Sequence, residues 1–228
     1  MAHSKFVRII IDGNQVEVPT ETTILEAAKQ ADIDIPTICY HPALTANGLC
    51  RHCIVEVEGS DKYVASCVTE VNDEMVVQTS TEEIIKMRRT ILEMLDASVN
   101  LSEAPDLQKQ LKEYGAETNR FSNTKLRGKS LMDDNPFYVR DYEQCILCWG
   151  CVQACGDDLQ YTYSLSIGGR GYASYIATYF DKPMPETTCV FCGNCVAVCP
   201  TGALKSKNEH MLELGLSHEQ IRENKRKK

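Results

Sequence analysis

The chain has 228 residues, a net charge of −8 at pH 7 and 43% hydrophobic residues. This length permits one large domain or two small ones, and an acidic chain without a basic stripe argues against nucleic-acid binding. No window approaches the roughly 18 consecutive apolar residues of a transmembrane helix, so we expect no membrane span.

The amino-terminal part predicts a small β-sheet with one helix. Residues 6–11 are a β-branched run, Asp12–Asn14 is a turn signal, and residues 15–18 return as a second strand. Thr23 begins a helix, and Glu26 completes a capping box. Further strands are predicted at residues 53–58, 63–66 and 75–79. Hairpin, helix and further strands, in that order, are typical of a β-grasp, ferredoxin-like module.

Four cysteines occur in this module, namely Cys39, Cys50, Cys53 and Cys67. Plant-type ferredoxins use C-x4-C-x2-C and a distant fourth cysteine. Here the first interval is longer, but the C-x2-C centre is kept. Four thiolates on an irregular loop suit a [2Fe–2S] cluster, with zinc as the alternative. Backbone amides near Arg51 and His52 are expected to bond the sulfurs. The His52 side chain either joins them or faces solvent.

A longer helix is predicted after the sheet. Ser80 and Glu83 form a capping box, and apolar residues follow at helical spacing. These are Ile84, Met87, Ile91, Met94 and Leu95. The polar residues 115–134 predict a linker or an irregular crossing.

The last eight cysteines form two runs with the spacing C-x2-C-x2-C-x3-C. In proteins with two [4Fe–4S] clusters, the fourth cysteine of such a run binds the other cluster. One cluster is therefore predicted at Cys145, Cys148, Cys151 and Cys199. The other is predicted at Cys155, Cys189, Cys192 and Cys195. Gly150 and Gly193 are expected in the tight loops near the clusters. Zinc is again the alternative, although zinc sites usually pair two C-x2-C knuckles across a spacer.

Residues 160–180 predict a β-hairpin around a glycine turn, Gly168–Gly171. The order G-x-G-x-x-G and a following helix are missing, so we discount a nucleotide-binding loop. The hairpin is expected to cover the [4Fe–4S] clusters, and its tyrosines are candidates for partner contact. They are Tyr161, Tyr163, Tyr172, Tyr175 and Tyr179. Ser217 with Gln220 predicts the start of a short carboxy-terminal helix.

Several of these segments resemble a known family. They are Cys39–Pro42, Gly48–Val57, Asn135–Tyr142, Cys189–Cys195 and Cys199–Leu204. Similar segments occur in the large iron–sulfur subunit of respiratory complex I, iron-only hydrogenases, NAD-linked formate dehydrogenases and the small diaphorase subunit of NAD-reducing hydrogenases. The resemblance covers most of residues 5–205. It implies an α+β fold with a β-grasp [2Fe–2S] domain, a helical connector and a bacterial-ferredoxin-like domain with two [4Fe–4S] clusters.

One feature of the family is missing. Many members hold a further [4Fe–4S] cluster, bound by one histidine and three cysteines just after the long helix. Residues 97–110 contain neither residue type, and the three predicted sites use all twelve cysteines. We therefore expect this cluster to be absent. Fast electron exchange between the [2Fe–2S] and [4Fe–4S] clusters is then expected to need domain motion or a partner.

The predicted domain division follows the cysteines. A [2Fe–2S] domain covers 1–80, a helical connector 81–134, a two-cluster ferredoxin domain 135–205 and a helical tail 206–228. Many thiols, and an amino terminus without an apolar leader, lead us to expect a cytoplasmic protein.

The chain carries no flavin or nicotinamide fingerprint, so we expect no active site of its own. The resemblance implies an electron-transfer subunit of a soluble multi-subunit NAD(P)-linked oxidoreductase. Its expected partners are a flavin subunit that handles NAD(H) or NADP(H) and a second redox partner. The latter is a hydrogenase, a formate dehydrogenase, another NAD(P) flavoprotein or ferredoxin. A flavin-based electron-bifurcating complex is a narrower hypothesis. The alternatives are a free multi-cluster carrier, a redox sensor or a scaffold.

Overall fold

The computed structural model describes residues 6–122, 124–127, 129 and 131–226. It divides into two compact units. The first comprises residues 1–40, 46–94 and 110–117, and the second comprises residues 41–45, 95–109 and 118–228. Within the described ranges, no helix combines the length and apolar character of a membrane span.

The first unit contains a five-stranded sheet in the order β2-β1-β5-β3-β4. The strands are β1 (Phe6–Ile11), β2 (Asn14–Pro19), β3 (Ile54–Val57), β4 (Val64–Ala65) and β5 (Val76–Gln78). β1 pairs antiparallel with β2 and parallel with β5. Alternate residues of β1 are buried, which places its β-branched side chains against α1 (Ile24–Gln30) in one core. The β-grasp prediction is confirmed.

A capping box starts α1. The Thr23 side chain accepts a hydrogen bond from the Glu26 amide at 3.2 Å, and the Glu26 carboxylate accepts from the Thr23 amide at 3.0 Å. Removing such a cap leaves helix amides without partners. We expect Thr23→Ala to lower the free energy of unfolding by about 1 kcal/mol, measured by denaturant titration. Thr23→Ser keeps the hydroxyl, so an equal loss in both variants contradicts the capping role.

The long helix differs from its prediction in two details. α2 covers Glu82–Ser98, so the residue before it is Thr81 rather than Ser80. The Thr81 hydroxyl accepts a hydrogen bond from the Ile84 amide at 3.4 Å. Met94, expected on the buried face, is 57% exposed. The buried residues of α2 are Ile84, Arg88, Leu92 and Glu93. The apolar pattern did not predict the burial of Arg88 and Glu93, whose charged side chains form hydrogen bonds in the interior.

The second unit is built from short elements. β6 (Tyr138–Arg140) pairs antiparallel with β9 (Leu204–Ser206), and β7 (Ser166–Gly168) with β8 (Tyr175–Ala177). Its helices include α4 (Gly150–Cys155), α5 (Asn194–Ala197), α6 (Lys207–Glu213) and α7 (His218–Arg226). α3 (Pro105–Glu113) lies between α2 and the irregular stretch that follows it. Ser217 and Gln220 cap α7 as predicted, while Lys227 and Lys228 of the predicted tail lie outside the described residues.

Candidate metal centres

The four cysteines of the first unit form two close pairs, with Cys39, Cys50 and Cys53 before β3 and Cys67 after β4. The Sγ atoms of Cys53 and Cys67 are 3.3 Å apart, and the Cys50 amide lies 3.4 Å from the Cys39 sulfur. Gly48 adopts a left-handed φ of +59°, and a Cβ there would come within 3.1 Å of the Val68 side chain. Glycine at this position therefore allows the loop to turn tightly beside the cysteines.

The thiols of this loop influence one another strongly. The hydrogen bond from Cys50 lowers the pKa of Cys39 to about 6, and the bond from Cys67 lowers the pKa of Cys53 to about 6. The partner thiols in both pairs shift upward in pKa, because each shares its proton and is buried. Iron–sulfur ligands are thiolates, and a loop that already favours two of them fits such a site.

His52 is fully buried, at 0% exposed, and its ring meets the Tyr114 ring edge-on at 5.8 Å between centroids. The solvent-facing alternative for this side chain was therefore wrong. Its backbone amide lies 3.5 Å from the Cys50 sulfur, in keeping with the expected amide–sulfur contacts. Burial lowers the pKa of His52 to about 4, so the imidazole is neutral at pH 7.

The two later cysteine runs share a backbone geometry. Leu147 and Phe191, which each precede the second cysteine of a run, have φ values of +56° and +57°. Their amides lie 3.4 Å from the sulfurs of Cys145 and Cys189, respectively. Both runs therefore turn their backbone donors toward the first thiol.

The second left-handed position is occupied differently in the two runs. Gly193 has a φ of +82°, and Trp149, at the equivalent position, has a φ of +68°. Gly150 follows Trp149 and begins α4. Trp149 accepts a conformation that L-residues disfavour, and its side chain forms part of the wall beside the cysteines.

One cavity of the second unit is lined by Cys145, Cys148, Cys151 and Cys199. Tyr142, Trp149 and Ile176 supply part of its apolar wall. Ile176 belongs to β8, so the hairpin predicted to cover the cluster region does contribute to this wall. The structure thus brings the last cysteine of the second run to the first three of the first run.

The causes of the cysteine pKa shifts also link residues of the two runs. Burial, and then the charges of neighbouring thiolates including Cys199, raise the pKa of Cys148 to about 12. Burial, and then the charges of neighbouring thiolates beginning with Cys155, raise the pKa of Cys195 to about 12. Cys199 thus contributes to the pKa shift of Cys148, and Cys155 contributes to that of Cys195.

These surroundings fit iron–sulfur clusters. The raised pKa values keep these buried thiols protonated, and a compact positive charge, such as the iron ions of a cluster supply, would convert them to thiolate ligands.

Tyr138 is a contact that the sequence analysis did not assign. Its hydroxyl lies 3.0 Å from the Cys189 sulfur, and its side chain is 3% exposed. Burial, followed by the bond to Cys189, raises the pKa of Tyr138. A Cys189 thiolate that binds iron can only accept a hydrogen bond, so the phenol would then donate to the sulfur. Hydrogen bonds to cluster sulfurs favour the reduced state, which carries more negative charge.

We therefore expect Tyr138→Phe to lower the potential of the cluster bound by Cys189. A three- to tenfold weaker equilibrium constant for reduction corresponds to about 30–60 mV. The measurement is an anaerobic redox titration followed by EPR. Tyr142→Phe is the control, because the Tyr142 hydroxyl bonds Arg140 at 3.5 Å. An unchanged potential in Tyr138→Phe contradicts the role of this bond.

Both cysteine-bearing regions match known families. Residues 4–82 match the family described as a 2Fe-2S iron-sulfur cluster binding domain. Residues 135–205 match the family described as the ferredoxin-like domain of NADH-quinone oxidoreductase subunit 3. The α+β fold, with a ferredoxin-like domain at each of these positions, is thereby confirmed.

Individual relatives agree with these matches. The chain is 38% identical over 213 residues to the NADP-reducing hydrogenase subunit HndD of Solidesulfovibrio fructosivorans, covering 86% of this chain and 35% of that protein. It is 36% identical over 208 residues to the NADPH-Fe(3+) oxidoreductase subunit alpha of Geobacter sulfurreducens, covering 88% and 24%, respectively. The chain thus spans about a quarter to a third of the length of these relatives.

A crystal structure of an NAD+-reducing [NiFe]-hydrogenase in the H2-reduced state contains a chain with a TM-score of 0.78 and 30% identity. The alignment covers 88% of this chain and 87% of the hydrogenase chain. The chain belongs to the iron–sulfur subunit family of NAD(P)-linked hydrogenases and NADH-quinone oxidoreductases. As a member of this family it is an iron–sulfur protein, with the ferredoxin-like domains that the cysteine spacing predicted.

The family resemblance did not reveal which side chains support the cysteine loops. Tyr138 lies in a segment that carries the resemblance, but nothing in its spacing predicts a bond to Cys189. The sequence contains a weak indication that Arg88 is buried, because this charged residue lies one helical turn from both Ile84 and Leu92 on the apolar stripe of α2. Charges at such positions are usually paired or hydrogen-bonded in the interior.

Proposed function

We propose that the chain is the electron-relay subunit of a multi-subunit NAD(P)-linked oxidoreductase. Three sets of four cysteines support this proposal, and the cavity lined by the four residues Cys145, Cys148, Cys151 and Cys199 carries it. Iron–sulfur clusters supply one-electron transfer when bound. The chain's own residues then provide thiolates, sulfur hydrogen bonds and an apolar wall.

The proposed ligands are three sets of four. A [2Fe–2S] cluster is assigned to Cys39, Cys50, Cys53 and Cys67. One [4Fe–4S] cluster is assigned to Cys145, Cys148, Cys151 and Cys199, and the second to Cys155, Cys189, Cys192 and Cys195. The proposed domains are 1–80, 81–134, 135–205 and 206–228.

The proposed partners are those that the sequence resemblance implies, and the hydrogenase and NADPH-linked relatives support redox partners in general. One is a flavin subunit that oxidises or reduces NAD(H) or NADP(H). The other is a hydrogenase, a formate dehydrogenase, a second NAD(P) flavoprotein or ferredoxin. Twelve free thiols need a reducing compartment, so we place the protein in the cytoplasm.

The test is anaerobic purification of the native protein, followed by mass spectrometry of the proteins that elute with it. We expect a flavoprotein and a second redox subunit in fixed ratio to this chain. Elution of the chain alone, with its clusters intact, would contradict the subunit proposal and favour the free carrier or sensor.

A further inference from the structure

Arg88 of α2 is a buried cation whose hydrogen bonds flank a candidate cluster ligand. Its side chain is 2% exposed. Nε donates to the backbone carbonyl of His52 at 3.0 Å, and Nη2 donates to that of Ile54 at 2.9 Å. These two residues stand on either side of Cys53. One planar guanidinium therefore fixes the backbone from which the Cys53 thiol projects.

The third contact of the guanidinium extends this arrangement. Nη1 donates to the Tyr114 hydroxyl at 3.3 Å, and the Tyr114 ring packs edge-on against His52. The neighbouring Arg89 donates to the Tyr114 backbone carbonyl at 2.9 Å. Through Arg88, α2 and the segment around Tyr114 thus hold the backbone on both sides of Cys53.

The charge of Arg88 is not compensated by an ion pair among the described residues, since its acceptors are two carbonyls and a phenol. A buried cation normally requires a partner, because its desolvation is costly. A [2Fe–2S] cluster with four thiolates is an anion, and its reduction adds one more negative charge.

We propose that Arg88 is a positioning residue for the [2Fe–2S] cluster, which orients the Cys53 segment and raises the reduction potential through its buried charge. The proposal rests on the [2Fe–2S] assignment made under the proposed function. Reduction benefits because the cation interacts more strongly with the more negative state of the cluster. Arg88 donates its hydrogen bonds to two carbonyls and a phenol, so it acts on the cluster through the backbone beside Cys53 and through its electric field.

The experiment is an EPR-monitored redox titration of the full chain, purified anaerobically with its clusters. The wild-type [2Fe–2S] signal is recorded first, so that its absence counts against the ligand assignment and not against Arg88. Arg88→Gln removes the charge, Arg88→Lys retains the charge without the planar fork, and Arg89→Gln is the matched control on the same helix.

We expect Arg88→Gln to weaken the equilibrium constant for [2Fe–2S] reduction about tenfold, a shift of about 59 mV to lower potential. Arg88→Lys is expected to recover at least half of this shift, and Arg89→Gln to shift the potential far less. The [4Fe–4S] signals should not move in any variant.

Three results would overturn the proposal. They are equal potentials in Arg88→Gln and wild type, equal shifts in Arg88→Gln and Arg89→Gln, and a potential in Arg88→Lys as low as that in Arg88→Gln. Loss of the [2Fe–2S] signal from both Arg88 variants would also overturn it, because Arg88 would then be required only for the fold.

Discussion

Cys155→Ser is expected to abolish the cluster whose other ligands are Cys189, Cys192 and Cys195, while the nearer run, Cys145 to Cys151, keeps its own cluster. Serine offers iron a hydroxyl in place of a soft thiolate and binds it much more weakly. The influence of Cys155 on the pKa of Cys195 supports this crossed arrangement. Cys199→Ser should have the reciprocal effect and remove the cluster of the first run.

The spectra and the reduction potential show which of the two [4Fe–4S] clusters remains in each variant. The Mössbauer and EPR spectra of Cys155→Ser should match those of Cys189→Ser, and the spectra of Cys199→Ser should match those of Cys145→Ser. The potential that Tyr138→Phe lowers should be missing from Cys155→Ser and present in Cys199→Ser. Spectra of Cys155→Ser that match those of Cys145→Ser would contradict the crossed ligand sets.

Asp134→Ala is expected to destabilise the protein by about 3–5 kcal/mol, because it leaves a buried cation without its ion-pair partner. Arg140 of β6 is 1% exposed and forms an ion pair with Asp134. Asp134 also accepts a hydrogen bond from the Met184 amide at 3.1 Å. The substitution therefore removes the carboxylate partner of the Arg140 guanidinium and the acceptor of the Met184 amide.

This loss should appear as a fall in Tm of roughly 6–20 °C for the cluster-loaded protein, measured anaerobically. Glu82→Ala is the control. It removes an exposed pair on α2, with 2.9 Å between Glu82 and Lys86, and solvent screening leaves such a pair with little effect on stability. Equal shifts in Tm for the two variants would show that the Asp134 pair is no more important than a surface pair.

The elements with strong local signals could be predicted from the sequence. The β-branched run of β1 and the capping boxes at Thr23 and Ser217 specify structure within a few residues. Each turned out as predicted because local hydrogen bonds and alternating burial define it. The two cysteine runs could also be recognised from the sequence, because cluster ligands need fixed spacing.

The supporting contacts could not be predicted, because they join residues far apart in the chain. Arg88 lies 36 positions from His52, and Tyr138 lies 51 positions from Cys189. Helical periodicity favoured Met94 for the buried face, whereas hydrogen-bond acceptors provided by the fold draw Arg88 inside. A pattern of apolar residues contains no information about such acceptors.

The most direct test of the three-cluster relay is spectroscopy of the full chain, purified anaerobically and enriched in 57Fe. Mössbauer spectra should resolve one [2Fe–2S] cluster for every two [4Fe–4S] clusters. EPR of the reduced protein should show all three as reducible, with the two [4Fe–4S] signals broadened by mutual interaction. Zinc in place of iron at any of the three cysteine sets, or a cluster that dithionite does not reduce, would contradict the account.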